Sequence, residues 1–519
     1  MQANPEYEPI SYSKYVYKTE PYQHQRSVLQ RCWMRPYYAW FLTMGLGKSK
    51  IAIDNFSCLF QHNLIDGVLI IAPKGVYRNW TSKEIPQHMP DHLQRRMLYW
   101  STKKKDFNAI EKMADVGPLP EMVLDILVVN IDALIMKRNE EILTRFLETH
   151  RAMIIVDEST RIKNPSAKRT KAAIRLAKKA KYRRILTGSP ILNSPLDLYS
   201  QCDFLSPAVT NTRARIYQDN PLGFSNFYSF RARYAIMKKA TFGGITREFP
   251  VAYKSLDELG ERLKGFSSRI TKEECLDLPD KIYLTREVPL TDDQRKYYNE
   301  MAKKSRVLLE GLDHEEDPIY AKIALTQLLK LHQISTGFIS TDDGHVVKID
   351  SNRSKELLAL VDELDLNSGK VIVWSNFVSA IEEVIEVLSE KFGPESVVHF
   401  YGATSDEDRE KAKVEFQDPK SPVKFFVGNP SSAGMGITLT QATTVIYYSN
   451  SFSLEHRLQS EDRAHRVGQT KNVTYIDFVS TPLDRDVIDA LKNKKNISDV
   501  VIDGGVSRWM EVKADEQLS

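Results

Sequence analysis

The chain has 519 residues, with 72 Lys plus Arg against 68 Asp plus Glu and a formal net charge of +4. Hydrophobic residues make up 42% and charged residues 27%, a balance that excludes a mainly disordered chain. No apolar stretch reaches the roughly 18–20 residues of a membrane span.

The opening segment Met1–Glu6 shows no basic region leading into an apolar one, so no secretory signal is expected. Near residue 20, Tyr22-Gln23-His24-Gln25 precedes a short apolar run, Tyr38–Leu42. That run predicts a buried strand. Met44-Gly45-Leu46-Gly47-Lys48-Ser49 follows it and opens a helix over Lys50–Phe60. Glycines let backbone N–H groups wrap phosphate oxygens, and a helix N-terminus adds positive dipole. Lys48 suits the β- and γ-phosphates of a nucleotide, and the Ser49 hydroxyl suits Mg²⁺. Residue 42 is Leu, so the usual Gly-x₄-Gly-Lys spacing is incomplete.

Further strands are predicted at Gly67–Ala72, Ile126–Asn130, Met153–Val156 and Arg184–Leu186. The fourth of these five runs ends in Asp157-Glu158. A strand end places such a pair beside a phosphate loop. Asp157 then suits Mg²⁺, and Glu158 suits polarisation of an attacking water. Alone, a strand ending in Asp-Glu is a common solvated turn; the Lys48 loop about 110 residues earlier favours the catalytic reading. From Arg161 to Arg184 the chain carries eleven Lys or Arg and no acid. This run reads equally as a solvated helix face or as a grip on nucleic acid.

The rhythm breaks over about 205–345. Aromatic Phe224, Phe227, Tyr228 and Phe230 read as the core of a mainly helical insert (about 205–280), which also holds a Gly-Gly turn at 243–244. Helices are predicted from Thr291 to about Leu312 and from Pro318 to about Ile334, with a loop at Thr341–Asn352. Alternation then resumes, with strands expected at Lys370–Trp374, Val397–Phe400, Lys424–Val427, Thr444–Tyr448 and Val473–Phe478. Short Val- and Ile-rich runs alternating with helices indicate parallel sheets, hence an α/β chain with two lobes in tandem. In Gln459-Ser-Glu-Asp-Arg463-Ala-His-Arg466-Val-Gly-Gln469, i and i+3 spacing on a helix would put both arginines on one face. Two guanidinium groups suit a γ-phosphate whose charge grows during transfer. Glu461 and Asp462 beside them also permit a plain solvent face.

These motifs, in this order, resemble the SNF2 family of ATPases, a branch of superfamily 2 helicase-like motors, and especially its compact bacterial or phage members. Met44–Ser49 resembles motif I, Ile71–Trp80 motif Ia, Asp157–Asn164 motif II and Leu186–Asn193 motif III. Val371–Phe377 resembles motif IV, Ser432–Thr440 motif V and Gln459–Gln469 motif VI. Leu278-Pro-Asp-Lys281, Tyr401-Gly-Ala-Thr404 with Arg409, and Lys492–Val501 are smaller echoes. The chain departs from the family at Leu42-Thr43, where an acidic pair is frequent, and at Ser159-Thr160, where Ala-His is commoner.

The resemblance implies two RecA-like lobes with ATP and Mg²⁺ between them. Residues 1–282 would form the first lobe, 283–345 a helical connector or protrusion, 346–505 the second lobe and 506–519 a tail. Lys48, Asp157, Glu158, Arg463 and Arg466 would be catalytic, with Ser49 and Asp157 on the metal. Met44, Gly45, Leu46, Gly47, Lys48, Ser49, Gly436 and Gln459 would line the nucleotide, and either Gln23 or Gln25 would read adenine. Lys74, Asn79, Lys163, Asn164, Ser375, Asn376 and Thr438 would face nucleic-acid phosphates; Trp80 is expected in the core. The implied activity is ATP-driven translocation on, or remodelling of, double-stranded DNA. The alternatives are a strand-separating helicase, with single-stranded or branched DNA as substrate, and the motor subunit of a repair, restriction or transcription complex. A cytoplasmic, non-membrane setting is expected. The four cysteines form no Cys-x-x-Cys pair and the eleven histidines no ligand spacing, so no structural metal is expected.

Net charge divides unevenly: residues 1–282 hold 44 basic and 29 acidic residues (+15), and 283–519 hold 28 and 39 (−11). The expectation is that the first lobe carries more of the grip on DNA.

Overall fold

A computed structural model describes residues 15–118, 122–191, 194–206, 220–242, 245–275, 278–310, 318–340, 345–431 and 437–492. Two compact units divide the chain: residues 1–239 with 248–276, and residues 240–247 with 277–519.

The first unit is built on seven parallel strands: β1 (Tyr37–Leu42), β2 (Gly67–Ala72), β3 (Arg95–Tyr99), β4 (Leu124–Asn130), β5 (Ala152–Asp157), β6 (Tyr182–Leu186) and, late in the chain, Ser267–Ile270. A two-stranded hairpin, β7 (Ala235–Phe242) and β8 (Ile245–Tyr253), precedes that last strand, which is therefore β9. Spatial order is β3-β4-β2-β5-β6-β1-β9. The predicted strands are buried along almost their whole length, as strands covered by helices on both faces must be. The structure adds β3 and β9. Arg95, Arg96 and Arg269 interrupt their apolar pattern, and both strands lie at sheet edges, where polar side chains reach water.

The insert is mixed rather than mainly helical. The helix Phe227–Tyr234 and its aromatic cluster form as expected; Phe230 is fully buried against Tyr199, Phe224 and Tyr234. Tyr228 is exposed. The hairpin and β9, where β-branched and aromatic residues favour extended backbone, share the remaining described residues with the helices Leu256–Lys264 and Lys272–Cys275.

The second unit carries a six-stranded parallel sheet. Its strands are β10 (Lys281–Glu287), β13 (Lys370–Trp374), β14 (Val397–Phe400), β15 (Phe425–Gly428), β16 (Ala442–Tyr447) and β17 (Val473–Val479), in the order β10-β17-β16-β13-β15-β14. A small antiparallel pair, β11 (Phe338–Ser340) and β12 (Val346–Lys348), stands apart. Strand β10 runs through the expected boundary at 282 and pairs with β17 along seven residues, so the connector of 283–345 begins inside the second sheet. Two helices follow, Asp292–Glu310 and Pro318–Thr336, close to their expected spans. Among the described residues no helix is long and apolar enough to cross a membrane.

Candidate nucleotide site and motif loops

All strands of the first sheet are parallel, so the loops after β1, β5 and β6 leave from one edge. β6 lies between β1 and β5. The phosphate loop, the acidic pair and the Thr187–Pro190 segment are therefore neighbours by topology.

Gly45 and Gly47 adopt φ of 84° and 76°, backbone that a Cβ disfavours, and Gly47 caps the helix Lys48–Gln61. Lys48 donates from Nζ to the Leu42 carbonyl at 2.9 Å, so its amine is folded over the loop. Gln25 is buried beneath: its Nε2 donates to the Leu46 carbonyl at 3.1 Å, and its Oε1 accepts from the Tyr22 amide at 3.0 Å. A Cβ on Gly47 would stand 2.2 Å from that Nε2. Gln23 is exposed, and His24 shares the Leu46 carbonyl at 3.0 Å. The two glutamines thus separate: Gln25 supports the loop, and Gln23 faces outward.

At the end of β5, Asp157 accepts the Trp80 indole N–H at Oδ2 (3.2 Å) and the Glu158 amide at Oδ1 (3.0 Å). Burial and the neighbouring Glu158 carboxylate push its carboxyl well above the usual range, against the opposing pull of Lys48 and the indole. Trp80 is buried as expected, but its N–H on Asp157 was not foreseen. It opens a single π-helical turn, Trp80–Glu84, a distortion that re-aims side chains near functional groups.

Glu158 sits at φ 49°, ψ 61°, a left-handed conformation that costs a residue with a Cβ about 1–3 kcal/mol. Thr187 donates to its Oε2 at 3.4 Å, and the Arg161 amide donates to its carbonyl at 3.0 Å. Gly188 lies where a Cβ would meet the Met44 amide at 3.2 Å, so the segment after β6 touches both the phosphate loop and the acid pair.

In the second unit, Arg463 and Arg466 reach the same acceptor, the Ile437 carbonyl, each at 3.3 Å. The expected helical face is not the reason. The helix Leu454–Ala464 ends before Arg466, and the turn at Gly468 (φ 98°) brings the chain back. Gln469 fixes that return by donating to the carbonyls of Thr440, Ala442 and Ala464. Gln459 is buried and donates to Glu455 at 3.0 Å. Glu461 is no solvent face. It is buried and accepts from Arg457, Lys281 and Tyr283, while Arg457 also binds Asp477. Gly436 lies outside the described residues, as do residues 192–193 of motif III, the first half of motif V and the tail.

The expected nucleic-acid contacts split. Lys74 and Asn164 are exposed, while Asn79, Asn376 and Thr438 are half-buried. Lys163 pairs with Asp197 at 3.4 Å. Ser375 is fully buried, its hydroxyl on that of Ser449 at 2.9 Å. The basic run is also largely committed. Arg183 and Arg184 lie inside the sheet; Arg184 donates to Asn55 and to the Cys32 carbonyl. Arg169, Arg175 and Lys179 pair with Asp132, Glu140 and Glu148. No cluster of three or more His, Cys, Asp or Glu suited to a metal occurs among the described residues.

Comparison with known proteins agrees in extent. A model of the SNF2-related domain matches residues 41–361, and one of the helicase conserved C-terminal domain matches residues 353–468. The chain is 24% identical to the SWI/SNF chromatin-remodeling complex subunit snf22 of Schizosaccharomyces pombe, over 89% of this chain and 26% of that protein. It is 27% identical to an uncharacterized ATP-dependent helicase of Mycoplasma pneumoniae, over 83% and 36%. It is 24% identical to the putative ATP-dependent helicase/translocase YwqA of Bacillus subtilis, over 92% and 47%. The chain thus spans a quarter to just under half the length of these relatives. Among solved structures, it is similar to the Sulfolobus solfataricus SWI2/SNF2 ATPase core in complex with dsDNA, at 23% identity, 95% coverage of each chain and a TM-score of 0.40.

Proposed function

Since the chain belongs to the SNF2-related family, we propose that it is an ATP-dependent motor that moves along or remodels double-stranded DNA. The observation that carries this reading is the shared sheet edge of the first unit. It sets a glycine loop with a docked lysine beside a strand-end carboxylate pair.

The roles follow from chemistry. Backbone amides of Gly45–Ser49 and the Lys48 amine receive the β- and γ-phosphates. Mg²⁺ fits the residues present, because Asp157 is a buried carboxyl crowded by a second one, and a hard cation relieves that crowding. Asp157 and the Ser49 hydroxyl would hold it, and when bound it would neutralise charge developing on the phosphates. Glu158, aimed by its left-handed turn, orients and deprotonates the attacking water. Arg463 and Arg466 stabilise the charge of phosphoryl transfer. Gln23, facing outward, reads the base, while Gln25 supports the loop. Lys74, Asn79, Lys163, Asn164, Asn376 and Thr438 contact phosphates rather than base edges, as a motor indifferent to sequence requires. A cytoplasmic setting belongs to the same proposal. Cys32, Cys58 and Cys202 are buried thiols, a state that a reducing compartment preserves.

The test is ATPase rate without nucleic acid and with duplex DNA, single-stranded DNA or RNA, alongside Glu158→Gln. Stimulation by duplex, with third-strand displacement and no strand separation, supports the proposal. Strand separation would favour a helicase, and absence of any stimulation would sink the motor.

A further inference from the structure

We propose that Gln201 is a positioning residue for Glu158, acting through Ser159. The inference rests on the proposed role of Glu158 as the residue that orients water.

Gln201 lies on the helix Leu198–Phe204 and is fully buried. Its Oε1 accepts the Ser159 hydroxyl at 2.7 Å. Its Nε2 donates to the Pro190 carbonyl and the Asp197 carbonyl, both at 2.8 Å. This pattern fixes the amide: turned over, its oxygen would face two carbonyl oxygens. Ser159 is fully buried too and follows Glu158 directly. The left-handed turn at Glu158 therefore has its C-terminal side held by one hydroxyl on one amide.

The same amide holds the segment after β6 from within. Pro190 closes the stretch in which Thr187 donates to Glu158 and Gly188 packs on the phosphate loop. Asp197, at the far end, also takes the Lys163 ion pair. Gln201 thus joins the turn carrying Glu158 to the backbone that faces it, and continues toward a cation proposed to touch DNA. A buried amide with three short bonds is a poor choice for mere space filling, since removing either partner strands the other. Ser159 stands where the resembled family more often has Ala, so this chain uses a polar tie at a position an apolar residue can fill.

The test is a double-mutant cycle on the full chain, with duplex DNA and saturating Mg²⁺. Gln201→Leu strands the Ser159 hydroxyl, and Ser159→Ala strands the Gln201 carbonyl. Each is expected to lower kcat about five- to tenfold while KM for ATP stays within about twofold, because the loop that binds phosphate is untouched. The double variant lacks the same single bond and is expected to lose no more kcat than the worse of the two single variants. Melting temperatures report whether each variant folds. Unchanged kcat in folded Gln201→Leu would overturn the proposal. So would additive losses in the double variant, or a rise in KM matching the fall in kcat. Should Gln201→Leu fail to fold, Ser159→Ala and the double variant decide alone. Wild type and Glu158→Gln run in parallel separate the two ideas: an inactive wild type, or an unaffected Glu158→Gln, defeats the proposed function, whereas the outcomes above defeat only the role of Gln201.

Discussion

Trp80 donates its indole N–H to Oδ2 of Asp157 at 3.2 Å, which ties the end of motif Ia to the first carboxylate of motif II. The bond leaves less freedom for the group proposed to hold Mg²⁺. Trp80→Phe keeps an aromatic ring in the core but removes the N–H donor together with the five-membered ring that carries it. We expect kcat to fall about three- to tenfold and the Mg²⁺ concentration for half-maximal ATPase to rise. A magnesium titration at saturating ATP checks this; an unchanged midpoint would show that the indole only fills space.

The two glutamines should fail in different ways. Gln23→Ala should erode the preference for ATP over GTP with little effect on GTP turnover, since it removes only the base reader. Gln25→Ala removes the prop beneath Gly47 and should raise KM for both nucleotides together. Competition assays with the two triphosphates distinguish the patterns, and the reverse assignment would appear as the reverse pattern.

Arg457 is bound by Asp477 and Glu461 inside the second unit, and its guanidinium lies 3.6 Å from the centre of the Tyr447 ring. Removing one partner of such a network leaves carboxylates buried without compensation, at a cost of about 3–5 kcal/mol. Arg457→Leu should therefore lower the melting transition of the second unit by several degrees. Calorimetry with separate assignment of the two units is the check, and an unmoved transition would refute the reading.

Arg466→Ala should leave ATP binding intact while turnover falls on the order of 10³-fold, the scale of a lost arginine at the γ-phosphate. Fluorescent-nucleotide binding and steady-state ATPase together decide it. Equal losses in both would point to a folding role through the Ile437 carbonyl instead.

Asp54, on the phosphate-loop helix, is buried with Lys50 at 2.6 Å and the Tyr15 hydroxyl at 3.1 Å. Burial pushes its carboxyl up to about 6, above the ordinary 3.8, despite Lys50. A raised folded-state value means the folded chain holds the proton more tightly between those two pH values. Its contribution to stability is then full below about pH 4 and lost as pH rises through about 6. Asp54→Asn should flatten that part of the stability–pH curve, by at most about 1.4 kcal/mol per pH unit. Urea melts of both proteins at pH 4.5, 5.5 and 6.5 would show it; parallel curves would exclude Asp54 as the source.

Much of this molecule is readable from its sequence because parallel strands buried on both faces leave continuous apolar runs. Gly67–Ala72 and Lys370–Trp374 were placed to the residue for that reason. Strands β3, β9 and β10 escaped because edge strands carry arginines and half-exposed side chains, so no run marks them. The motif residues were legible through their spacing. Their supports were not, since Gln201, Gln469 and Thr187 act through contacts far along the chain. Gln201 carries no such mark, because its helix Leu198–Phe204 also holds Ser200 and Asp203. The charge excess of the first half gives only a net sign, because sequence counts a cation without showing where its partner lies.

That compensation within the basic run has a further consequence. When a protein displaces the cloud of small ions around duplex DNA, the salt sensitivity of binding counts only cations that newly meet phosphate. Five of the eleven basic residues in Arg161–Arg184, besides the proposed phosphate contact Lys163, are already engaged or enclosed: Arg169, Arg175, Lys179, Arg183 and Arg184. On the proposed function, the protein would hold duplex DNA through a few loop contacts, with a shallow dependence on ionic strength. A motor that must let go once per cycle gains from that, because a weak ionic grip shortens each pause between steps.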